Sequence, residues 1–197
     1  PHGLRRRQRQ MCIRDRVYRV PPTITLFTSM FMHGGFMHLI GNMLYMWIFA
    51  DNIEDGLGKI KFIIFYLLSG IAAALTQVYM NTESTIPMVG ASGAIGGVLG
   101  AYIVNYPKAK VLVLIPLGFF SQIVKVPAVF VLGIWFLLQF ISSAATNSAG
   151  GGVAYGAHIG GFLFGAIAIL FFNRGYKKQF RKVKKISTKS KNPWSQN

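Results

Sequence analysis

Ser92 and His158 set a hydroxyl and an imidazole inside long apolar stretches of this chain. A neutral imidazole can take a serine proton as general base, and the alkoxide-like oxygen that results can attack an acyl carbonyl. The oxyanion then formed needs hydrogen-bond donors, and His38, Asn42 and the Ser92 backbone N–H are the candidates. No carboxylate lies in an apolar stretch to orient His158, so a catalytic pair here is a Ser–His dyad lacking the third member of a Ser-His-Asp arrangement. The run Gly90-Ala91-Ser92-Gly93-Ala94 is not the strand-to-helix elbow of soluble hydrolases, because its fifth residue is not glycine and no strand is expected before it. Alone, Ser92 reads as a small packing residue and Asn42 as an interhelical hydrogen-bonding group; only their combination with His158 and His38 points to catalysis. His33, beside the Gly34-Gly35 turn, reads as structural.

These groups need elements to carry them, and composition says what kind. Of 197 residues 52% are hydrophobic and 13% charged, yet Lys+Arg number 21 against 5 Asp+Glu, a net charge of +16. Ordinary soluble domains have about 25% charged residues, which leaves a nucleic-acid binder with a large core or a membrane protein with basic loops. The placement of the charges favours the second. Stretches 60–80, 88–104, 126–145 and 153–172 meet or approach the roughly 20 apolar residues of a membrane helix. A fifth, 27–50, is long enough but carries His33, His38 and Asn42. The run 111–120, broken by Pro116 and Gly118, reads as interfacial. The expectation is an all-α, polytopic helix bundle with five spans.

Basic residues concentrate in cytoplasmic loops. Alternating five spans puts Lys59, Lys61, Lys108, Lys110, Lys125 and the basic stretch 174–191 on one side, fourteen basic residues together, while loops 81–85 and 142–152 have none. The C-terminus is then inside. Seven arginines within 5–19 fall outside, against the rule, and one further span before Tyr18 would remove the conflict. Segment 1–17 is therefore expected to be a truncated or non-native end, followed by a membrane domain over 18–173 and a basic cytoplasmic tail over 174–197. In this topology Ser92, His158, His38 and Asn42 fall at one depth in the outer half of the bilayer, within reach of a water-filled cavity. The inner halves carry nothing comparable, which argues against a transport path. Gly93/Gly97, Gly96/Gly100, Gly156/Gly160 and Gly161/Gly165 form small-residue stripes that let helices approach closely.

Three motifs, taken together, resemble the rhomboid family. His33-Gly34-Gly35-Phe36-Met37-His38-Leu39-Ile40-Gly41-Asn42 resembles its second-helix motif of two histidines and an asparagine. Gly90-Ala91-Ser92-Gly93 resembles its GxSG nucleophile motif, and Ala157-His158-Ile159-Gly160-Gly161 with Gly165 its last-helix histidine motif. The order and spans match, and the resemblance covers about 23–172. It implies a six-helix intramembrane serine protease that cleaves single-span membrane proteins near the outer membrane face. Ser92 would be the nucleophile and His158 the base; His38 and Asn42 would join the Ser92 amide in the oxyanion hole. His33 would be structural, and Gly160 and Gly161 packing positions. The resemblance does not extend to the family's first helix and most of the loop after it. Gly96 stands where many members have a tyrosine that stacks on the histidine.

Other features have plainer readings. Asp51, Glu54 and Asp55 read as a solvated turn or helix cap rather than a metal site, and Cys12, the single cysteine, supports neither a disulfide framework nor a thiolate site. No metal or cofactor is expected. Trp135, Phe136 and Phe140 read as lipid or helix packing, and the family analogy allows their helix to act as a lateral substrate gate. Attraction to anionic lipid explains the basic tail, and nucleic-acid binding is not expected. The expected setting is a bacterial plasma membrane. The reading from another class is an inactive relative that only binds transmembrane segments; such relatives typically lack the serine or the histidine, and both are present.

Overall fold

The computed structural model describes residues 21–82, 87–115, 120–145 and 153–172. The readings of 1–17 and of the basic tail lie outside the described residues. Helix α1 (Pro22–Thr28) opens on a proline, whose missing N–H costs nothing in a first turn, and runs into a short 3₁₀ turn at Ser29–Phe31. Helix α2 (Phe36–Leu57) starts after Gly34-Gly35, so the expected 27–50 stretch is two helices with a break between. Gly58, at φ +81°, accepts the left-handed conformation that ends α2 and leads directly into α3 (Lys59–Met80).

Helix α4 (Ser92–Asn105) is buried from Gly93 to Tyr102 without interruption. A helix apolar all round belongs inside a bundle, and α4 packs against α2, α3, α5 (Ala128–Ala145) and α6 (Tyr155–Phe172). The expected helix from 88 begins only at Ser92, because 87–91 is not helical. The glycine stripes explain how α4 and α6 meet. A Cβ on Gly161 would strike the Gly93 carbonyl, and one on Gly165 the Gly97 carbonyl, so the two backbones are in direct contact. Phe49, Ile53, Phe65, Leu99, Leu132 and Ile169 fill the core between the helices.

The architecture is the expected all-α bundle, with one addition among the described residues, a single two-stranded hairpin. Strand β1 (Lys110–Ile115) pairs antiparallel with β2 (Gln122–Pro127), in a register from Lys110 opposite Pro127 to Ile115 opposite Gln122. The part of the run read as interfacial that lies in 111–115 is thus in one arm of a hairpin, and the stretch from 126 becomes helical only at Ala128. Alternation explains it: Val111 turns inward to the core while Leu112 and Leu114 face out, the period-2 pattern of a strand. The Ala128 and Val129 N–H groups donate to the Ala109 and Pro107 carbonyls at 2.7 and 3.1 Å, tying the hairpin base to the start of α5.

Among the described residues two helices, Lys59–Met80 and Tyr155–Phe172, are long and apolar enough to cross a membrane; Ser92–Asn105 and Ala128–Ala144 are apolar but shorter. The outward side chains are apolar as well: Trp47 is 81% exposed, and Ile60, Ile134, Ile167 and Phe171 are exposed beside it in character. Apolar surface of this extent on a helix bundle calls for lipid rather than water around it.

Candidate active site

Gly90 sets the geometry. Its φ of +120° is a conformation that side chains disfavour, and its N–H donates to the Ser29 carbonyl at 2.9 Å. This turn makes Ser92 the first residue of α4. The first helical bond following it runs from the Ile95 N–H to the Ala91 carbonyl at 2.9 Å, so the Ser92 amide has no partner within the helix and lies at its positive end.

His38 and Asn42 stand one turn apart on α2 and lean over that turn. A Cβ on Gly90 would lie 2.8 Å from His38 Nε2 and 3.7 Å from Asn42 Nδ2. The Gly34 N–H donates to His38 Nδ1 at 3.5 Å, which leaves the ring proton of the neutral imidazole on Nε2, the nitrogen facing Gly90. Asn42 is 6% exposed, and its Nδ2 has no hydrogen-bond partner among the described residues. Two donors thus converge on the Gly90–Ser92 turn from α2. His33 lies in the loop before α2, its ring 5.3 Å from that of His38 and edge-on at 71°; its buried Nε2 is also unpartnered among the described residues.

His158, 9% exposed, is the fourth residue of α6. Its Nε2 lies 2.8 Å from Ser92 Oγ. Its Nδ1 lies 2.8 Å from Gln139 Oε1 on α5. One turn earlier on α5 the Trp135 ring is 5.8 Å from the imidazole at 35°. Trp135 also approaches Phe162 at 6.1 Å, and Phe136 stacks on Phe162 at 4.5 Å, so these two aromatics pack on α6 as expected while Phe140 is exposed. Gly96 lies close to α6: a Cβ there would sit 3.0 Å from the His158 carbonyl. Trp135 flanks the imidazole.

The remaining glycines set the helix spacing around this pair. A Cβ on Gly93 would lie 2.6 Å from Ala73 Cβ, and one on Gly160 would strike Thr76, so α3 closes on both α4 and α6. The Gln77 side chain of α3 accepts the Ala157 N–H at 3.1 Å, in the first turn of α6 and next to His158. Gln77 and Gln139 were not among the expected site residues. The signal for Gln139 was present: an amide in an otherwise apolar helix is costly and calls for a partner. Asp51, Glu54 and Asp55 lie at the other end of α2 from His38, where they take no part in the site.

Fold and site together define an integral, multi-helix membrane protein with a part-buried serine–histidine pair at the N-terminal ends of two glycine-packed helices. The chain belongs to the rhomboid family: residues 17–175 match the Rhomboid domain. It is 32% identical over 169 residues to Rhomboid protein 1, mitochondrial, of Saccharomyces cerevisiae, covering 81% of this chain and 45% of that protein. Presenilin-associated rhomboid-like protein A, mitochondrial, of Danio rerio is 30% identical over 165 residues, covering 81% of this chain and 39% of the relative. Rhomboid protease AarA of Providencia stuartii is 30% identical over 152 residues, covering 71% of this chain and 52% of the relative. The chain thus spans about half or less of the length of these relatives.

Proposed function

We propose that this protein is an intramembrane serine endopeptidase that cleaves single-span transmembrane proteins near the outer membrane face. The observation that carries the reading is the 2.8 Å approach of His158 Nε2 to Ser92 Oγ, inside a family that includes a named protease. In the proposed reaction the Ser92 hydroxyl proton passes to His158 Nε2 as Oγ bonds to the scissile carbonyl carbon. The oxyanion is held by the Ser92 N–H, His38 Nε2–H and the Asn42 amide. The C–N bond then breaks, and the proton moves from Nε2 to the leaving amine. Water attacks the acyl-serine ester with His158 as base again, which restores the hydroxyl and releases the second product.

The accompanying topology has five spans, with α2, α4 and α6 entering from the outside and the C-terminus in the cytoplasm. Its support is the set of lysines at 59 and 61, in the first turn of α3, and at 108, 110 and 125, in and just before the hairpin between α4 and α5. Helix α4 rises only about 21 Å over its 14 residues, short of a bilayer core of about 30 Å. That length supports a Ser92 below the outer surface, with water descending to the pair and substrate arriving sideways from lipid.

The test is incubation of the detergent-solubilised protein with a fluorophosphonate probe and a model single-span substrate. Labelling and cleavage are expected in the parent and neither in Ser92→Ala. A folded parent that shows neither would overturn the enzyme reading.

A further inference from the structure

We infer that Gln139 is the positioning residue of the site, standing where a Ser-His-Asp arrangement has its carboxylate. Its amide oxygen selects the tautomer of His158 that leaves Nε2 bare toward Ser92. The inference rests on the serine-protease reading of the pair.

An amide oxygen only accepts hydrogen bonds, so the 2.8 Å contact between Gln139 Oε1 and His158 Nδ1 requires the proton on Nδ1. A neutral imidazole has one ring proton. Nε2 is then the lone-pair nitrogen, and it is the nitrogen 2.8 Å from Ser92 Oγ. Without the acceptor, the other tautomer would point an N–H at the serine, where it cannot act as base. The setting restricts the ring further. Trp135, one turn before Gln139 and on the same side of α5, flanks the imidazole at 5.8 Å. On α4 the ring's helix is pressed close at Gly96, 3.0 Å from the His158 carbonyl to a Cβ there. α5 therefore supplies both side chains that hold the ring, and α4 supplies the nucleophile. Gln139 orients the imidazole without neutralising the imidazolium that forms during the reaction, a role unlike that of a carboxylate.

The experiment combines kinetics with ¹⁵N NMR of the histidine-labelled full chain in detergent, with His158→Asn used to assign the signals. In the parent, His158 Nδ1 is expected in the N–H shift range and Nε2 in the bare-nitrogen range. Gln139→Leu should move both toward an averaged value and lower kcat about 10- to 100-fold with KM within about twofold, part of what a correctly placed general base contributes. Gln139→Glu retains an acceptor at the same reach and should restore the Nδ1–H signature and most of kcat. Parent-like nitrogen shifts and kcat in Gln139→Leu, or a Gln139→Glu protein no better than the leucine variant, would overturn the assignment. Failure of the parent to label with fluorophosphonate would instead overturn the protease reading, and the nitrogen shifts would still decide whether Gln139 sets the tautomer.

Discussion

Asn42 keeps a side-chain N–H buried and unpartnered among the described residues, a state that costs about 1 to 3 kcal/mol. Such a donor makes sense if its acceptor arrives with the substrate as the oxyanion. Asn42→Ala should accordingly lower turnover about 10- to 1,000-fold, the range for one lost oxyanion donor. Thermal unfolding in detergent should stay at or above that of the parent, because no native hydrogen bond of that N–H is removed, and fluorophosphonate labelling of Ser92 should weaken less than turnover does. Unchanged turnover would remove Asn42 from the site. At this scale the chain was largely legible. Ser92, His158, His38 and Asn42 stand out as polar groups in apolar stretches, since lipid makes each of them expensive. Gln139 stands out for the same reason, but its partner is 19 residues away on another helix, and no spacing rule connects the two.

Between elements, the α4–α6 contact decides whether the serine and histidine meet. Gly161→Ala would drive a methyl group into the Gly93 carbonyl, and overpacking of this kind costs about 1 to 3 kcal/mol. The expected outcome is a lower unfolding temperature together with slower fluorophosphonate labelling, as α6 moves away from Ser92. Gly133→Ala on α5 is the contrast: a Cβ there meets nothing within 4 Å. It should leave labelling unchanged and stability equal or higher by up to about 1 kcal/mol from the helix preference of alanine over glycine. A parent-like Gly161→Ala protein would show that the two helices can yield. The small-residue stripes announced these contacts in advance. The hairpin was not legible in the same way, because a ten-residue apolar run does not reveal whether it is helix or strand. Pairing with 122–127 made β1 a strand.

For the molecule as a whole, the side on which the site is proposed to open rests on where the lysines lie. With Cys12, the single cysteine, replaced by serine, Lys61→Cys and Lys125→Cys should react with a membrane-impermeant maleimide only from the cytoplasmic side. Thr82→Cys, beyond the end of α3, should react only from outside. The reverse pattern would turn the site toward the cytoplasm and end the proposal of cleavage at the outer face. Charge and hydropathy are sums over residues, so composition and the order of apolar stretches sufficed to identify a membrane bundle; the motifs around His38, Ser92 and His158 entered by their resemblance to the rhomboid family. Ser92 and His158 are 66 positions apart, and their 2.8 Å approach depends on glycine backbones of α4 and α6 touching and on Gln77 and Gln139 meeting α6 from two other helices. Those contacts are set by how four helices pack at once, a condition no linear spacing contains. The chain therefore announced which residues could react, whereas the packed bundle chose the imidazole's neighbours and with them the tautomer proposed to make the serine reactive.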